Sequence, residues 1–126
     1  MPGLTYDTGA LIAAERGDQQ VWALHQGALE EGMTLTVPAG VLAQGWRGGP
    51  QVQMSRLLSG CRIETLDEAG ARSAGAACAR AGTSDVVDAA VVVGAAARGD
   101  VVVTSDQKDL QRIAAALGVA LRTREA

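Results

Sequence analysis

The stretch that decides the fold covers residues 83–109 and reads TSDVVDAAVVVGAAARGDVVVTSDQKD. Its pattern predicts a buried helix over residues 85–98, apolar on nearly every side, and a buried strand over residues 101–104. Two pairs of aspartates accompany these segments: Asp85 and Asp88, then Asp106 and Asp109. In open α/β sheets, ligands bind beyond the carboxyl ends of the strands, which is where Asp106 falls. The stretch therefore predicts half of a cation site.

Asp88 is the unusual member of this stretch, because it lies one turn into the predicted helix. A carboxylate in such a place loses much of its hydration, and an unpaired buried charge is costly or becomes neutral. We therefore expect a positive group opposite Asp88. A bound cation is one interpretation, and a buried salt bridge to Lys108 or an arginine is the other.

Outward from this stretch, strands and helices alternate along the whole chain. The predicted strands cover residues 3–6, 33–37, 61–66, 101–104 and 119–121. The expected N-caps of the intervening helices include Thr8, Asp18, Asp67, Ser84, and Ser105 or Asp106. The order β-α-α-β-α-α-β-α-α-β-α-β predicts a mainly parallel sheet of four to five strands, covered by helices on both faces. We expect a single three-layer α/β/α sandwich over residues 1–126.

Composition narrows the class of protein. Hydrophobic residues make up 48% of the chain, which indicates a globular domain, and the net charge of -3 argues against broad electrostatic capture of nucleic acid. Almost all the basic residues are arginine, which suits a local phosphate contact. No segment has the roughly 20 apolar residues of a membrane span. Because there is no CxxC motif and no secretory leader, we expect Cys61 and Cys78 to be reduced in a cytoplasmic protein.

Further acids converge on the predicted site if the strands are parallel. Asp7 follows the first strand and Asp106 follows the fourth, so both reach one edge of the sheet. Asp85 and Asp88 are three residues apart and share a helix face. Carboxylates about 5 Å apart repel by roughly 3 kcal/mol per pair, and a divalent cation removes that cost. Oxygen ligands favour Mg²⁺ or Mn²⁺, and no cluster of histidine and cysteine offers a zinc site.

Neighbouring residues are candidates for accessory roles. Hydroxyls suited to holding metal-bound water belong to Thr8, Thr104 and Ser105. Candidate contacts to RNA or to a protein partner are Trp46, Arg47 and Lys108. The acids also have a structural interpretation, as helix N-caps (Asp7 and Asp106) or as acids that favour a helix N-terminus (Asp85 and Asp109).

Four segments of the chain resemble the motifs of a known family, in the same order. They are LTYDTGALI from Leu4, VPAGVLAQGWR from Val37, TSDVVDA from Thr83 and VTSDQKDL from Val103. Together they are similar to the PIN domain, and in particular to the small VapC-type proteins, which are Mg²⁺-dependent ribonucleases that act as toxins and are held inactive by a VapB antitoxin. The resemblance implies that Asp7, Asp88 and Asp106 bind metal and that Asp85 and Asp109 are accessory. It also implies a homodimer that cleaves RNA.

One position departs from the PIN pattern, because Gln44 stands where the family usually has glutamate. An amide oxygen can coordinate a metal or hold a water, but it brings no charge, so metal affinity is weaker. Asp85 and Glu15 are the candidates for supplying the missing charge. The leading hypothesis is a metal-dependent endoribonuclease. The alternatives are a degenerate PIN scaffold that binds protein or RNA without cleavage and, ranked last, a small phosphatase.

Overall fold

The computed structural model describes residues 2–126. Within them, five strands and seven helices follow one another in the order predicted from the sequence. The strands are β1 (Leu4–Tyr6), β2 (Leu35–Pro38), β3 (Arg62–Glu64), β4 (Val101–Thr104) and β5 (Arg122–Glu125). The helices are α1 (Thr8–Glu15), α2 (Gln19–Glu30), α3 (Ala39–Gly45), α4 (Val52–Ser59), α5 (Glu68–Ala81), α6 (Val86–Arg98) and α7 (Gln107–Leu117).

All five strands are parallel and form one sheet in the order β3-β2-β1-β4-β5. The predicted parallel sheet is therefore confirmed, with five strands. Because every strand runs in the same direction, the carboxyl ends of all five lie along one edge. β1 and β4 are neighbours in the middle of the sheet, so the residues that follow these two strands come close together.

Helices cover both faces of the sheet, which confirms the three-layer α/β/α sandwich. Helices α1 to α4 pack together on one face, and α5 to α7 pack together on the other. Successive residues of β1 point to opposite layers: the Tyr6 hydroxyl is hydrogen-bonded to His25 Nδ1 of α2 at 2.8 Å, whereas Thr5 Oγ1 accepts a hydrogen bond from Arg98 of α6. No helix within residues 2–126 combines the length and apolarity needed to cross a membrane. Cys61 and Cys78 are free thiols, as expected.

The two edge strands differ from their predicted bounds. The sequence predicts a last strand at residues 119–121, but β5 begins at Arg122, because the Val119 N–H donates to the Ala114 carbonyl oxygen and extends the C-terminal turn of α7. β3 is confined to residues 62–64 instead of 61–66. An edge strand pairs on one side only and stays partly exposed, so it requires no apolar run. The hydrophobic pattern therefore locates edge strands poorly.

Two helix starts also differ from the prediction. Asp7, not Thr8, caps α1, and Asp85, not Ser84, caps α6. In each case the cap residue has a non-helical backbone, and its carboxylate accepts a hydrogen bond from the backbone N–H three residues later, at 3.1 and 3.0 Å. In each case a carboxylate and the hydroxyl of an adjacent residue are alternative acceptors for the free N–H groups of the helix. Here the carboxylate accepts the hydrogen bond. The predicted caps Asp18 and Asp67 are confirmed.

A buried polar network holds α6 to the start of β4. Asp100 accepts hydrogen bonds from the Gly3 N–H at 2.9 Å, the Thr5 hydroxyl at 2.8 Å and the Arg98 guanidinium at 2.9 Å. Burial alone would raise the pKa of Asp100, but these partners hold it below its ordinary value. Arg98 ends the helix that carries Asp88, and it pairs with Asp100 at the far end of that helix.

Candidate metal centre

Asp7 follows β1 at the carboxyl edge of the sheet and is the N-cap of α1. The Thr104 hydroxyl at the end of β4 donates to Asp7 Oδ2, and the Ala10 N–H donates to Asp7 Oδ1 at 3.1 Å. Asp7 is only 5% exposed, and its burial raises the pKa of this carboxyl even though both hydrogen bonds lower it. Each oxygen keeps a second lone pair for a further partner. Asp7 thus combines the capping role with a hydrogen bond to the end of β4.

Three further carboxylates converge at the N-termini of α6 and α7. Asp88, Asp106 and Asp109 each offer one oxygen, and these three oxygens lie within 4.8 Å of one another. Asp106 occupies the cap position of α7, but its side chain makes no capping hydrogen bond and so is free to face its neighbours. The Asp106 N–H donates to Thr104 Oγ1 at 2.8 Å. Thr104 therefore fixes both Asp7 and the loop that carries Asp106.

Burial and neighbouring acids raise the pKa values of Asp88 and Asp106. Burial raises the pKa of Asp88 to about 7, with contributions from the charges of Asp85, Asp106 and Asp7. Partial burial likewise raises the pKa of Asp106, together with Asp109, Asp7 and Asp85. The charge of Asp7 therefore contributes to the raised pKa values of Asp88 and Asp106. The group of three oxygens within 4.8 Å contains Asp109 and not Asp7. The repulsion between these acids favours a positive charge among them.

The residues present fit a divalent metal ion. Among the described residues, no lysine or arginine forms an ion pair with Asp7, Asp88 or Asp106, so the structure gives no support to a salt bridge at Asp88. The ion pair of Asp109 with Arg112 is long, at 3.9 Å, and both side chains are largely exposed. The available donors are carboxylate oxygens, which hard cations such as Mg²⁺ and Mn²⁺ prefer.

Gln44 reaches this edge through its contact with α1. The hydroxyl of Thr8, the first residue of that helix, donates to Gln44 Oε1 at 2.6 Å. The amide oxygen is thus engaged beside Asp7, and the side chain adds no negative charge. Asp85 remains a charged neighbour, since it caps α6 by accepting the Asp88 N–H and its charge raises the pKa of Asp88.

Glu15 is engaged at the start of another helix, which corrects the prediction that it supplies the charge missing at Gln44. Glu15 Oε2 accepts a hydrogen bond from the Met54 N–H at 2.7 Å, at the start of α4. The cap residue of that helix, Gln51, makes no capping side-chain bond, so Glu15 satisfies this N-terminus from another helix. Ser105 is exposed and packs against Gly9, where an added Cβ would lie 2.0 Å from Ser105 Oγ.

The predicted contacts to RNA or protein are exposed residues at the end of α3 and in α7. Trp46 is 39% exposed at the end of α3. The Arg47 guanidinium donates to the backbone carbonyl oxygens of Ala43 and Trp46, so it is held along its own helix end. Lys108 is exposed in the first turn of α7, between Asp106 and Asp109. Of the three, Lys108 is the one placed among the acids.

One acid at this edge does not appear among the residues predicted from the sequence. Glu125 ends β5, where it is in register with Thr104, and its charge raises the pKa of Asp7. Glu125 lies in an exposed, polar edge strand and in none of the four motifs. Only the pairing of β5 with β4 places it beside the site.

Two crystal structures contain chains that superpose on this protein over nearly its whole length. One is VapBC2 from Rickettsia felis bound to a DNA fragment from their promoter, with a TM-score of 0.71, 16% identity, and coverage of 98% of this chain and 98% of that chain. The protein has a PIN-like fold. The second neighbour is DNA-bound VapBC from Salmonella typhimurium, with a TM-score of 0.69, 18% identity, and coverage of 99% and 98%. No protein-family model matches the sequence, and neither does any curated protein.

The PIN-like fold gives the motif residues a common location. Asp7 follows β1, Asp88 and Asp106 lie at the starts of α6 and α7, and Gln44 approaches through Thr8. These positions come from four separate segments of the chain, and the parallel sheet brings them to one edge. The shared fold therefore accounts for the convergence, and the chemistry depends on the side chains at that edge.

Proposed function

We propose that this protein is a Mg²⁺- or Mn²⁺-dependent endoribonuclease that hydrolyses RNA phosphodiester bonds. The observation that carries the proposal is the convergence of Asp88, Asp106 and Asp109 within 4.8 Å, beside the buried Asp7, at the carboxyl edge of a PIN-like sheet. These acids repel one another, and none has a close ion pair with a basic side chain. A cation between them would remove the repulsion. The donors suit a hard divalent ion.

Each residue has a distinct part in the proposed reaction. Asp7, Asp88 and Asp106 would hold the ion, and a bound Mg²⁺ or Mn²⁺ would lower the pKa of a coordinated water and neutralise charge on the attacked phosphate. The Thr104 hydroxyl fixes Asp7, and Asp85 fixes the first turn of α6 that presents Asp88. An uncoordinated carboxylate, Asp85 or Asp109, would orient the attacking water by accepting its hydrogen bond.

The biological setting of the proposal is a toxin–antitoxin pair. The two structural neighbours are VapBC assemblies bound to DNA, and their likeness to this chain in fold supports a VapC-type role. We infer a cytoplasmic toxin that forms a homodimer, cleaves RNA and is inhibited by a VapB-like antitoxin. The exposed side chains of Trp46, Arg47 and Lys108 are the candidate contacts to RNA or antitoxin.

The test is a calorimetric titration of the partner-free protein with Mn²⁺, followed by an RNA cleavage assay, on the parent and on Asp88→Asn. Glu30→Gln is the control, because it makes the same carboxylate-to-amide change on an exposed residue at the end of α2, next to the amino-terminal edge of the sheet. We expect the parent and the control to bind Mn²⁺ and cleave RNA, and Asp88→Asn to do neither while remaining folded. Cleavage by Asp88→Asn at the parent rate would remove Asp88 from the mechanism.

The second candidate function is a PIN scaffold that binds protein or RNA without cutting it. The observation that favours it is Gln44, whose amide brings no charge and whose oxygen is engaged by Thr8. A well-folded parent that binds no Mn²⁺ would support this candidate over the nuclease. A gain of Mn²⁺ binding and cleavage in Gln44→Glu would then identify the lost charge as the reason.

A further inference from the structure

The carboxyl ends of three adjacent strands present polar side chains on one face of the sheet. Thr104 of β4 is in register with Glu125 of β5. Asp7 follows Tyr6, which is in register with Val103, so Asp7 continues the same row next to Thr104. Residues in register on parallel strands point to the same face. The row therefore reads Asp7, Thr104, Glu125 across β1, β4 and β5.

Glu125 is held in this row by side chains of its own strand and of α7. Gln107 Nε2 donates to Glu125 Oε2 at 2.6 Å, and Gln107 Oε1 accepts from the Thr123 hydroxyl at 2.6 Å. Both ends of the Gln107 amide are therefore engaged, which fixes its orientation. Gln107 is the first residue of α7 and follows Asp106 directly. The Glu125 carboxylate is thus tied to the helix start that presents the acidic cluster.

Glu125 lies in the same row as a second acid, Asp7, on the other side of Thr104. No basic side chain of the described residues forms an ion pair with Glu125. An exposed glutamate has the freedom to turn into solvent, yet two hydrogen bonds through Gln107 hold it near another acid. That arrangement becomes favourable when a cation occupies the site, because the ion is attracted to both carboxylates.

We propose that Glu125 is a further carboxylate of the cation site and supplies the negative charge that Gln44 does not. The inference rests on the proposed function, since it presumes that a divalent ion binds at Asp7, Asp88 and Asp106. Glu125 acts as a positioning residue for the ion, and Gln107 acts by holding Glu125. The charge that is absent at Gln44 is then supplied by the edge strand β5.

The test is Mn²⁺ affinity measured by calorimetry on the metal-free protein. We expect Glu125→Gln to weaken Mn²⁺ binding about three- to tenfold, because the variant loses the attraction between one partly solvent-screened carboxylate and a divalent ion. Gln107→Ala leaves the charge but frees the side chain, so its loss is smaller and in the same direction. Glu30→Gln removes an equal charge next to the opposite edge of the sheet and should leave the affinity unchanged.

A rescue variant separates the charge from general damage to the structure. If Glu125 replaces the charge absent at Gln44, the double variant Glu125→Gln/Gln44→Glu recovers at least the parent affinity. Circular dichroism before titration verifies that each variant is folded. A parent that binds Mn²⁺ with an affinity equal to that of Glu125→Gln overturns this inference alone. A folded parent that binds no Mn²⁺ overturns the proposed nuclease and this inference together.

Discussion

Replacing Asp88 by asparagine should make the metal-free protein more stable, and the structure allows the gain to be estimated. The ordinary pKa of this carboxyl is 3.8, and burial with the neighbouring acids raises it to about 7. At about 1.4 kcal/mol for each tenfold change, the full difference corresponds to about 4 kcal/mol of cost when the group is ionised. Asp88 is only partly buried, so solvent screens the charges, and we take about 1–2 kcal/mol.

The sign of the pH dependence follows from the direction of this change. The folded state holds a proton on Asp88 at pH values between about 4 and 7, where the unfolded chain has lost it. The contribution of Asp88 to the free energy of unfolding is therefore intact below about pH 4. It falls as the pH rises and is lost once the pH has passed about 7. Asp88→Asn removes this loss. Its advantage over the parent should be largest near pH 8 and should almost vanish near pH 4.

The assay is urea and thermal unfolding of both proteins in EDTA at about pH 8 and at about pH 4. For a chain of this length, about 1–2 kcal/mol raises the melting temperature by about 4–8 °C. Adding Mn²⁺ should reverse the order, because a ligand at a hundred times its Kd stabilises the folded parent by about 2.7 kcal/mol and Asp88→Asn lacks the site. The reasoning is refuted if metal-free Asp88→Asn is no more stable than the parent at pH 8, or if its advantage persists undiminished at pH 4.

Three further predictions concern Gln44, His25 and Gly9. Gln44→Glu should tighten Mn²⁺ binding about tenfold, because it adds a charge beside the cluster; calorimetry on the folded variant measures this, and unchanged affinity would count against the site. His25 is the only histidine, and burial next to Tyr6 lowers its pKa, so its NMR titration should have a midpoint below 6.5. It is neutral when folded, so its contribution to stability is lost as the pH falls below 6.5, whereas a midpoint above 6.5 would contradict the assigned burial. Gly9→Ala places a Cβ 2.0 Å from Ser105 Oγ and should cost about 1–3 kcal/mol of unfolding free energy, with Ser105→Gly restoring most of it in urea denaturation. A cost that Ser105→Gly does not reduce would assign the effect to another contact.

Asp100 and Asp88 together show what distinguishes a structural acid from a candidate ligand. Asp100 has three hydrogen-bond donors, including a guanidinium, and its pKa is lowered. Asp88 has acids for neighbours, and its pKa is raised. Asp100 is buried and Asp88 is partly buried, but only Asp100 has its charge satisfied within the chain. Under the proposed function, a bound cation satisfies the charge of Asp88 at neutral pH.

The sequence by itself determined the order of the elements and the parallel sheet. Valine-rich runs such as residues 101–103 mark strands buried on both faces, and helices of the predicted lengths connect parallel strands. Once the strands are parallel, residues that follow β1 and β4 must meet at one edge, so the placement of Asp7 and Asp106 followed from local patterns. Asp88 also stood out locally, as a charge within an apolar helix.

Only the tertiary structure decided which partner each side chain has. Glu15 accepts a hydrogen bond from the Met54 N–H, Asp109 joins the tightest group of acids, and the register of β5 places Glu125 opposite Thr104. These outcomes depend on contacts between residues far apart in the chain, and the polar edge strand β5 has no apolar pattern to indicate its register. Local spacing fixes where a residue lies along its helix or strand. The packing of those elements against one another fixes which groups it contacts.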